Sequence, residues 1–375
     1  MPPGQEDSTY RTVSVVGLGL IGGSLALALR RAGFQGAILG VSRPESLEKA
    51  RRLGAIDEGF SYEDIATAAA RSDLIVLATP ISRIVEHLDI LGQTASNLRR
   101  GTVVTDVGST KKEILEKATA SLPEGVHFIG GHPLAGSEQR GIGAADPFLF
   151  QNAYYVLTPA EGVPPRETDR LASFLGSTGA RIVVLPATEH DRVAAVISHL
   201  PQLLAVTLVN FLEELDENRE AGVRLAAGGF RDMTRIASSP FSVWRDILAS
   251  NREEVLRAVE RFAKRLGEET KGLDDSRLDA SFEKAARARA EIPRDTKGFL
   301  NPLWDVFVEV EDVPGTISRL ANPLTAKGIN IKDIEVLKVR EGEGGTLRLA
   351  FASRKLAHEA LDELRRSGFK ARLRE

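Results

Sequence analysis

The sequence predicts an α/β protein in three parts: a Rossmann-type dinucleotide-binding domain, an all-helical second domain and a C-terminal ferredoxin-like βαββαβ domain. Three observations carry that prediction. From Thr12 to about Leu185, short β-branched runs alternate with amphipathic helical stretches, the pattern of a parallel sheet wrapped by helices. A glycine-rich turn, Gly17-Leu18-Gly19-Leu20-Ile21-Gly22, lies between the first strand and the first helix. Beyond Thr188 the strand signal stops, and a compact strand-helix-strand-strand-helix-strand pattern appears only near Trp304.

The expected strands of the first domain (10–187) are Thr12–Val16, Ala37–Val41, Leu74–Ala78, Thr102–Asp106, Val126–Gly130, Ala153–Leu157 and Arg181–Leu185. Their unbroken apolar character suits strands buried on both faces. In the second domain (188–292), VAAVISHLPQLLAVTLVNFL and VLRAVERFAKRL repeat apolar residues at helical spacing. Helical faces left over after packing within one chain favour a homodimer. Glu291–Phe299 is charged, contains Pro and Gly and lacks periodicity, so 293–302 reads as a linker. The last domain (303–375) should hold strand Trp304–Val310, a DVPG turn, helix Thr316–Lys327, strands Ile331–Val336 and Thr346–Phe351, helix Leu356–Ser367 and a short final strand.

Composition excludes several functions. The 375 residues carry 49 Lys and Arg against 52 Asp and Glu, so no basic field exists to hold a nucleic acid or an anionic membrane. Cysteine is absent, which removes disulfides, thiolate metal sites and cysteine nucleophiles. The start MPPGQEDSTY lacks the basic-then-apolar pattern of a signal peptide, and no apolar run is expected to approach bilayer-spanning length. The expected location is cytoplasmic.

In the glycine turn, Gly17 permits the tight bend, Gly19 admits a pyrophosphate, and Gly22 lets helix and strand approach, with Leu20 and Ile21 opening the helix whose amides face the phosphates. NAD enzymes usually place a carboxylate at the end of the second strand; this chain has Ser42 and Arg43 there. Ser42 can donate to a 2′-phosphate and Arg43 can pair with its charge, which favours NADP. The competing reading leaves Arg43 as a solvated cation with NAD bound. Thr79 and Pro80 close the third strand near the expected nicotinamide side of the sheet, a position that equally suits a plain strand end.

Two segments fall at carboxyl ends of strands, where open α/β sheets bind ligands: Asp106-Val107-Gly108-Ser109-Thr110-Lys111 and GGHPLAGSE from Gly130. His132, among small residues, suits the acceptance of a proton from a hydroxyl undergoing oxidation; the bland reading is a turn histidine fixed by backbone hydrogen bonds. Ser198-His199-Leu200-Pro201-Gln202 forms a second cluster, with Ser198 and Gln202 sharing a face and Pro201 kinking the helix. Arg231 and Arg235 suit carboxylate capture or plain solvation, and Trp244-Arg245 suits packing as well as substrate contact.

These motifs, VVGLGLIGGS, DVGSTK, GGHPLAGSE, SHLPQ and GGFRDMTRIA with SVWRDI, together resemble the prephenate/arogenate dehydrogenase family over nearly the whole chain, and the tail resembles an ACT regulatory domain. The resemblance implies oxidative decarboxylation of prephenate to 4-hydroxyphenylpyruvate with NAD(P), in tyrosine biosynthesis. It casts His132 as the catalytic base, Ser109 and Ser198 as orienting the ring hydroxyl, and Arg235 as holding the ring carboxylate. His199 takes a structural place beside the substrate and Trp244 the pocket mouth. Some members carry a second histidine where this chain has Gln202, a position expected to face the substrate side chain; arogenate therefore stands as the alternative substrate. In the tail, Asp312, Gly315 and Asn330 lie in ACT-like turns, which implies tyrosine as effector. No metal is called for. Rival readings are another Rossmann reductase of the β-hydroxyacid dehydrogenase or imine reductase kind, and a non-catalytic amino-acid sensor on a Rossmann scaffold.

Overall fold

The computed structural model describes residues 10–136, 139–215, 218–271, 276–291, 303–340 and 344–373. The chain divides into two compact units, Met1–Leu278 and Asp279–Glu375. The signal-peptide reading, the last two residues of GGHPLAGSE and the 293–302 linker therefore fall on residues outside the described ones.

In the first unit, strands β1 (Thr12–Val16), β2 (Ala37–Val41), β3 (Glu58–Phe60), β4 (Leu74–Leu77), β5 (Val103–Asp106), β6 (His127–Pro133), β7 (Tyr154–Pro159) and β8 (Arg181–Val184) form one eight-stranded sheet. Its order is β3-β2-β1-β4-β5-β6-β7-β8. Successive strands leave β1 first on one side and then on the other, so the crevice above β1 and β4 is the switch point where such sheets hold ligands. Val13, Val15, Val16, Ile75, Val76 and Leu77 are fully buried, as continuous apolar strands covered by helices on both faces should be.

The sheet departs from the expected parallel arrangement at one edge. β6 and β7 pair antiparallel, from Ile129 opposite Pro159 to Pro133 opposite Tyr155, and β8 follows β7 in the reversed direction. The reason is the connection: among the described residues between β6 and β7 there is no α-helix, only a loop with a 3₁₀ turn at Ile142–Ala144, and a parallel return is usually made by a crossover helix. The reversal lengthens β6 to Pro133. His132, expected in a loop past the strand end, therefore sits in the ladder opposite Val156. β3, too short for periodicity to reveal, was not expected.

After β8 the chain enters a continuous helical stretch, Ala187–Ala194, a π-helical turn at Ala195–His199, and Leu200–Glu213. Pro201 has no N–H for the carbonyl of Ile197, and the wider π turn absorbs the missing bond. The result is a 27-residue helix, Ala187–Glu213, long and apolar enough in length and composition to cross a membrane. That corrects the expectation drawn from the uninterrupted apolar runs alone. The stretch nonetheless begins with buried His190 and Asp191 and packs through Ala195 and Leu200 against Val255 and Ala258 of helix Arg252–Thr270. Ile197 is exposed toward a cavity, and further along Phe211 is exposed, as are Leu225 and Phe241 later in the sequence.

The second unit has strands β9 (Trp304–Val310), β10 (Asp333–Arg340), β11 (Gly344–Phe351) and β12 (Ala371–Leu373) in the antiparallel order β10-β11-β9-β12. Helices Thr316–Ala326 and Arg354–Arg366 cover one face, closing a core of Val306, Val308, Leu320, Leu349, Phe351 and Leu364. On the opposite face Arg348 is buried beneath Asp305, Asp333 and Glu335, its guanidinium 2.8 Å from the Glu335 carboxylate. Gly315 adopts φ +84°, the left-handed conformation that turns the chain into its helix, and Thr316 Oγ1 donates to the carbonyls of Glu311 and Val313 at 3.0 and 2.9 Å. Asp312 and Asn330 stand exposed in turns of this unit.

Candidate active site

The glycine turn has the shape a dinucleotide needs. Gly17 has φ +99°, and a Cβ there would lie 2.5 Å from the Ala78 carbonyl oxygen, so only glycine fits. At Gly22 a Cβ would lie 2.0 Å from the Gly17 carbonyl, whereas at Gly19 it would meet nothing, leaving open space where backbone can approach a phosphate. The helix after the turn, Leu20–Arg31, has no side-chain cap and no acidic residue in its first turn, so its N-terminal amides are free for an anion. Thr79 Oγ1 beside this turn is buried without a partner, a hydroxyl placed to meet a bound group. Pro80 caps helix Ile81–Gln93. Ser42 Oγ accepts from the Leu18 amide at 3.4 Å, and Arg43 lies exposed at the start of helix Pro44–Arg52.

The ends of β5 and β6 are locked together by a fully buried ion pair. Lys111 Nζ donates to Asp106 Oδ2 and, at 2.6 Å, to the Gly131 carbonyl. The same carboxylate accepts from the Gly108 and Gly131 amides at 2.7 and 3.0 Å. A Cβ at Gly131 would lie 2.4 Å from the Asp106 carbonyl oxygen, which is why a glycine precedes His132. Burial pushes the Lys111 ammonium below its usual pKa against the pull of Asp106.

His132 projects from β6 into a second network. Its Nδ1 lies 2.8 Å from His190 Nε2, and His190 Nδ1 lies 2.8 Å from Asp191 Oδ1. Asp191 also accepts from the Lys111 and Lys112 amides at 2.8 and 2.9 Å, so it closes the open N-terminus of helix Lys112–Ser121. Asn251 Nδ2 donates to the Asp191 carbonyl at 2.8 Å and to His199 Nδ1 at 3.3 Å, and the His199 ring meets the Trp244 indole edge-on at 6.1 Å. Burial first, then the charges possible on His190, Lys111 and His199, hold His132 well below the ordinary histidine pKa. Burial likewise pushes His199 down to about 4.

These side chains line a cavity of about 820 Å³ between the sheet and the helical layer, with Ser109, His132, His190, Ser198, His199 and Trp244 in its wall. Among the described residues no carboxylate faces it, and Arg140 stands at its lining, so the cavity favours an anionic ligand. Of the residues singled out from sequence, Ser109, His132, Ser198, His199 and Trp244 come together here. Gln202 and Arg235 do not line it. The π turn adds a residue to the helical repeat and rotates the residues beyond it by about 100°, so exposed Ser198 and buried Gln202 no longer share a face. Gln202 Nε2 instead donates to the Ile236 carbonyl at 3.1 Å, holding the turn Arg235–Ser238, whose far end, Ser238 and Ser239, does reach the cavity. Arg235 is exposed at the head of that turn. Arg231 donates to the Ala226 carbonyl at 3.0 Å, and Arg245 stacks on Phe241.

Sequence reading missed His190, Asp191, Asn251 and the Asp106–Lys111 pair. One signal was available for the histidine: His190 stands four residues before Ala194 on an apolar helix, which puts a polar residue where the helix should be buried.

Comparison with known proteins gives one answer. Residues 25–184 match the nucleotide-binding domain of prephenate dehydrogenase, 186–285 its dimerization domain and 304–368 the ACT domain. The prephenate dehydrogenase of Bacillus subtilis is 35% identical over 358 residues, covering 94% of this chain and 95% of that one. That of Lactococcus lactis is 38% identical over 348 residues, 91% of this chain and 94% of its own. The crystal structure of prephenate dehydrogenase from A. aeolicus in complex with hydroxyphenyl propionate and NAD+ superposes with a TM-score of 0.69 at 32% identity, covering 76% of this chain and 99% of that one.

The buried neutral histidines make stability depend on pH in a definite direction. His199 titrates near 6.5 when unfolded and at about 4 when folded, so between those values the unfolded chain binds the extra proton. Its share of stability is intact above pH 6.5 and is lost on acidification, on the order of 2–3 kcal/mol across the window. Urea unfolding of wild type and His199→Gln at pH 7 and pH 4.5 should show the larger acid loss in the wild type; equal losses would refute this.

Proposed function

The chain belongs to the prephenate dehydrogenase family, and on that premise we propose that its own residues oxidatively decarboxylate prephenate to 4-hydroxyphenylpyruvate and CO₂. The observation that carries this is His132: a neutral, largely enclosed imidazole with one ring nitrogen engaged from behind by His190 and the other left for the cavity that Ser109 and Ser198 share. A bound nicotinamide dinucleotide, held by the Gly17–Gly22 turn, Thr79 and Pro80, supplies the two-electron acceptor for the ring carbon that bears the hydroxyl.

Within the cavity, Ser109 and Ser198 hold the ring hydroxyl toward His132, whose free Nε2 takes its proton. The depressed basicity of His132 keeps it neutral, and hence able to accept, at pH values below the usual histidine range. Electron loss at that carbon and departure of the ring carboxylate as CO₂ leave an aromatic ring, so the protein has to position and polarise rather than form a covalent intermediate. Arg140 at the cavity lining is the cation available to a substrate carboxylate, Gln202 braces the turn whose Ser238 and Ser239 border the cavity, and Trp244 and His199 close the wall. Arogenate differs from prephenate only in its side-chain amine, so the two are separated by assay.

The proposal is checked by following dinucleotide reduction and CO₂ release with prephenate and with arogenate. His132→Asn should lower kcat about 10²–10⁴-fold with dinucleotide affinity little changed, the scale of a lost general base; near-normal kcat in the variant would move the base elsewhere.

NADP is the proposed preferred cofactor, supported by the absence of a carboxylate at the end of β2 and by the exposed Arg43 beside Ser42. The A. aeolicus structure holds NAD+, so both cofactors belong in the test. Arg43→Ala should lower kcat/KM for NADP about tenfold or more, the worth of a charge-assisted hydrogen bond, and leave NAD unaffected. A wild type that prefers NAD, with the variant unchanged, would reject the assignment.

The protein is further read as a cytoplasmic homodimer whose ACT domain binds tyrosine. The exposed apolar side chains Phe211, Val223 and Leu225 lie within the region that matches the family's dimerization domain. Tyrosine, the end product of the sequence in which this reaction stands, fits an effector site in the turns at Asp312, Gly315 and Asn330. Tyrosine should inhibit the full chain, and Gly315→Val with Asn330→Ala should abolish the inhibition while kcat is retained. Undiminished, purely competitive inhibition in that variant would place tyrosine in the active cavity instead.

A further inference from the structure

We propose that His190 and Asp191 form a relay behind His132 that fixes its tautomer and supports its protonated form, making both of them positioning residues of the oxidation. The proposal rests on the reading of His132 as the base.

The direction of every hydrogen bond in the relay is set from its far end. Asp191 faces three donors: the Lys111 and Lys112 amides and the ring of His190. A carboxylate surrounded by donors acts only as acceptor, so the proton of that last bond sits on His190 Nδ1. With that proton on Nδ1 and no second one on the ring, His190 presents a lone pair at Nε2, and the 2.8 Å contact then places the shared proton on His132 Nδ1. What remains is a lone pair on His132 Nε2, the form that can accept from a substrate hydroxyl.

The same chain serves the charged state. When the hydroxyl proton arrives at Nε2, His132 becomes an imidazolium whose Nδ1–H still donates to His190, while His190 Nδ1–H still donates to Asp191. No bond has to be remade and no further proton has to move; the new positive charge is countered by Asp191 through one intervening ring. That counter-charge has a specific purpose here. The ionisable groups facing His132 are Lys111, His190 and His199, none of them anionic, and a cation formed beside them would otherwise be opposed. His190 and Asp191 are 3% and 2% exposed, so water does not replace either. Asp191 cannot swing away, since its carboxylate caps helix Lys112–Ser121 and Asn251 holds its backbone carbonyl at 2.8 Å.

The competing role for these residues is structural capping alone, and a pair of variants separates the two. His190→Leu removes the acceptor from His132; His190→Gln keeps one, the side-chain carbonyl oxygen. Single-turnover and steady-state assays with prephenate and saturating dinucleotide should show kcat about 10²-fold lower in the Leu variant, with the Gln variant within about tenfold of wild type and dinucleotide affinity equal in all three. The acid limb of kcat/KM should move to lower pH in the Leu variant, because protonated His132 has lost its support. Equal kcat in the Leu and Gln variants, both verified as folded by near-UV circular dichroism, or an unmoved acid limb, would overturn the relay. The His132→Asn background distinguishes failure of the relay from failure of the parent reading. His190→Leu should add nothing there if it acts through His132; a fully active His132→Asn enzyme rejects the base itself, and an inactive one beside a fully active His190→Leu rejects only the relay.

Discussion

The carboxylate of Asp191 is the point through which the sheet and the helical layer hold each other. From the helical side it carries His190; from the sheet side it receives the amides of Lys111 and Lys112. A buried carboxylate costs several kcal/mol unless its lone pairs are filled, and here each donor comes from a part of the chain that must be in register for the bond to form. The site is thereby made conditional on the packing of the two layers. A small rotation of helix Ala187–Ala194 would leave the charge unpaired, so the network selects one docking of helix against sheet.

A second buried charge performs the corresponding task inside the sheet. Asp106 and Lys111, both fully enclosed, tie the end of β5 to the amide and the carbonyl of Gly131, the residue before His132. Their mutual attraction need not add net stability. What it fixes is geometry: two neighbouring strand ends, one bearing Ser109 and the other His132, held at a separation that permits only glycine at 131. The two ion-bonded centres meet at Lys111, whose ammonium serves Asp106 and whose amide serves Asp191.

The helical layer resolves an apparent conflict between composition and place. The stretch Ala187–Glu213 is apolar enough for a membrane, yet its first turns carry a buried histidine and aspartate and its central π turn presents Ser198 to the cavity that holds His132. Hydrocarbon could not satisfy such groups. The exposed apolar side chains beyond them have the character of a subunit face, in keeping with the dimerization domain that this part of the chain matches.

Much of this protein was legible without coordinates. The Gly17–Gly22 turn, the alternation of strands and helices and the βαββαβ tail are local patterns, set by backbone sterics and periodicity, and the sequence determined them by itself. It also placed His132 and the segments holding Ser109 and Ser198 at strand ends and a helix break, where short motifs are visible in a linear chain, while the resemblance of those motifs to a family singled out Ser109, Ser198, His199 and Trp244. Three things were decided only by the tertiary structure. The reversal of β7 depends on pairing between segments whose connection has no helix, which propensity does not encode. The separation of Gln202 from Ser198 depends on the extra residue of a π turn, which rotates the face by an amount that regular helical counting misses. The assembly of Asp106, Lys111, His190, Asp191 and Asn251 around His132 depends on contacts between residues up to 80 positions apart, and hydrogen-bond geometry at that range exists only once the layers have packed.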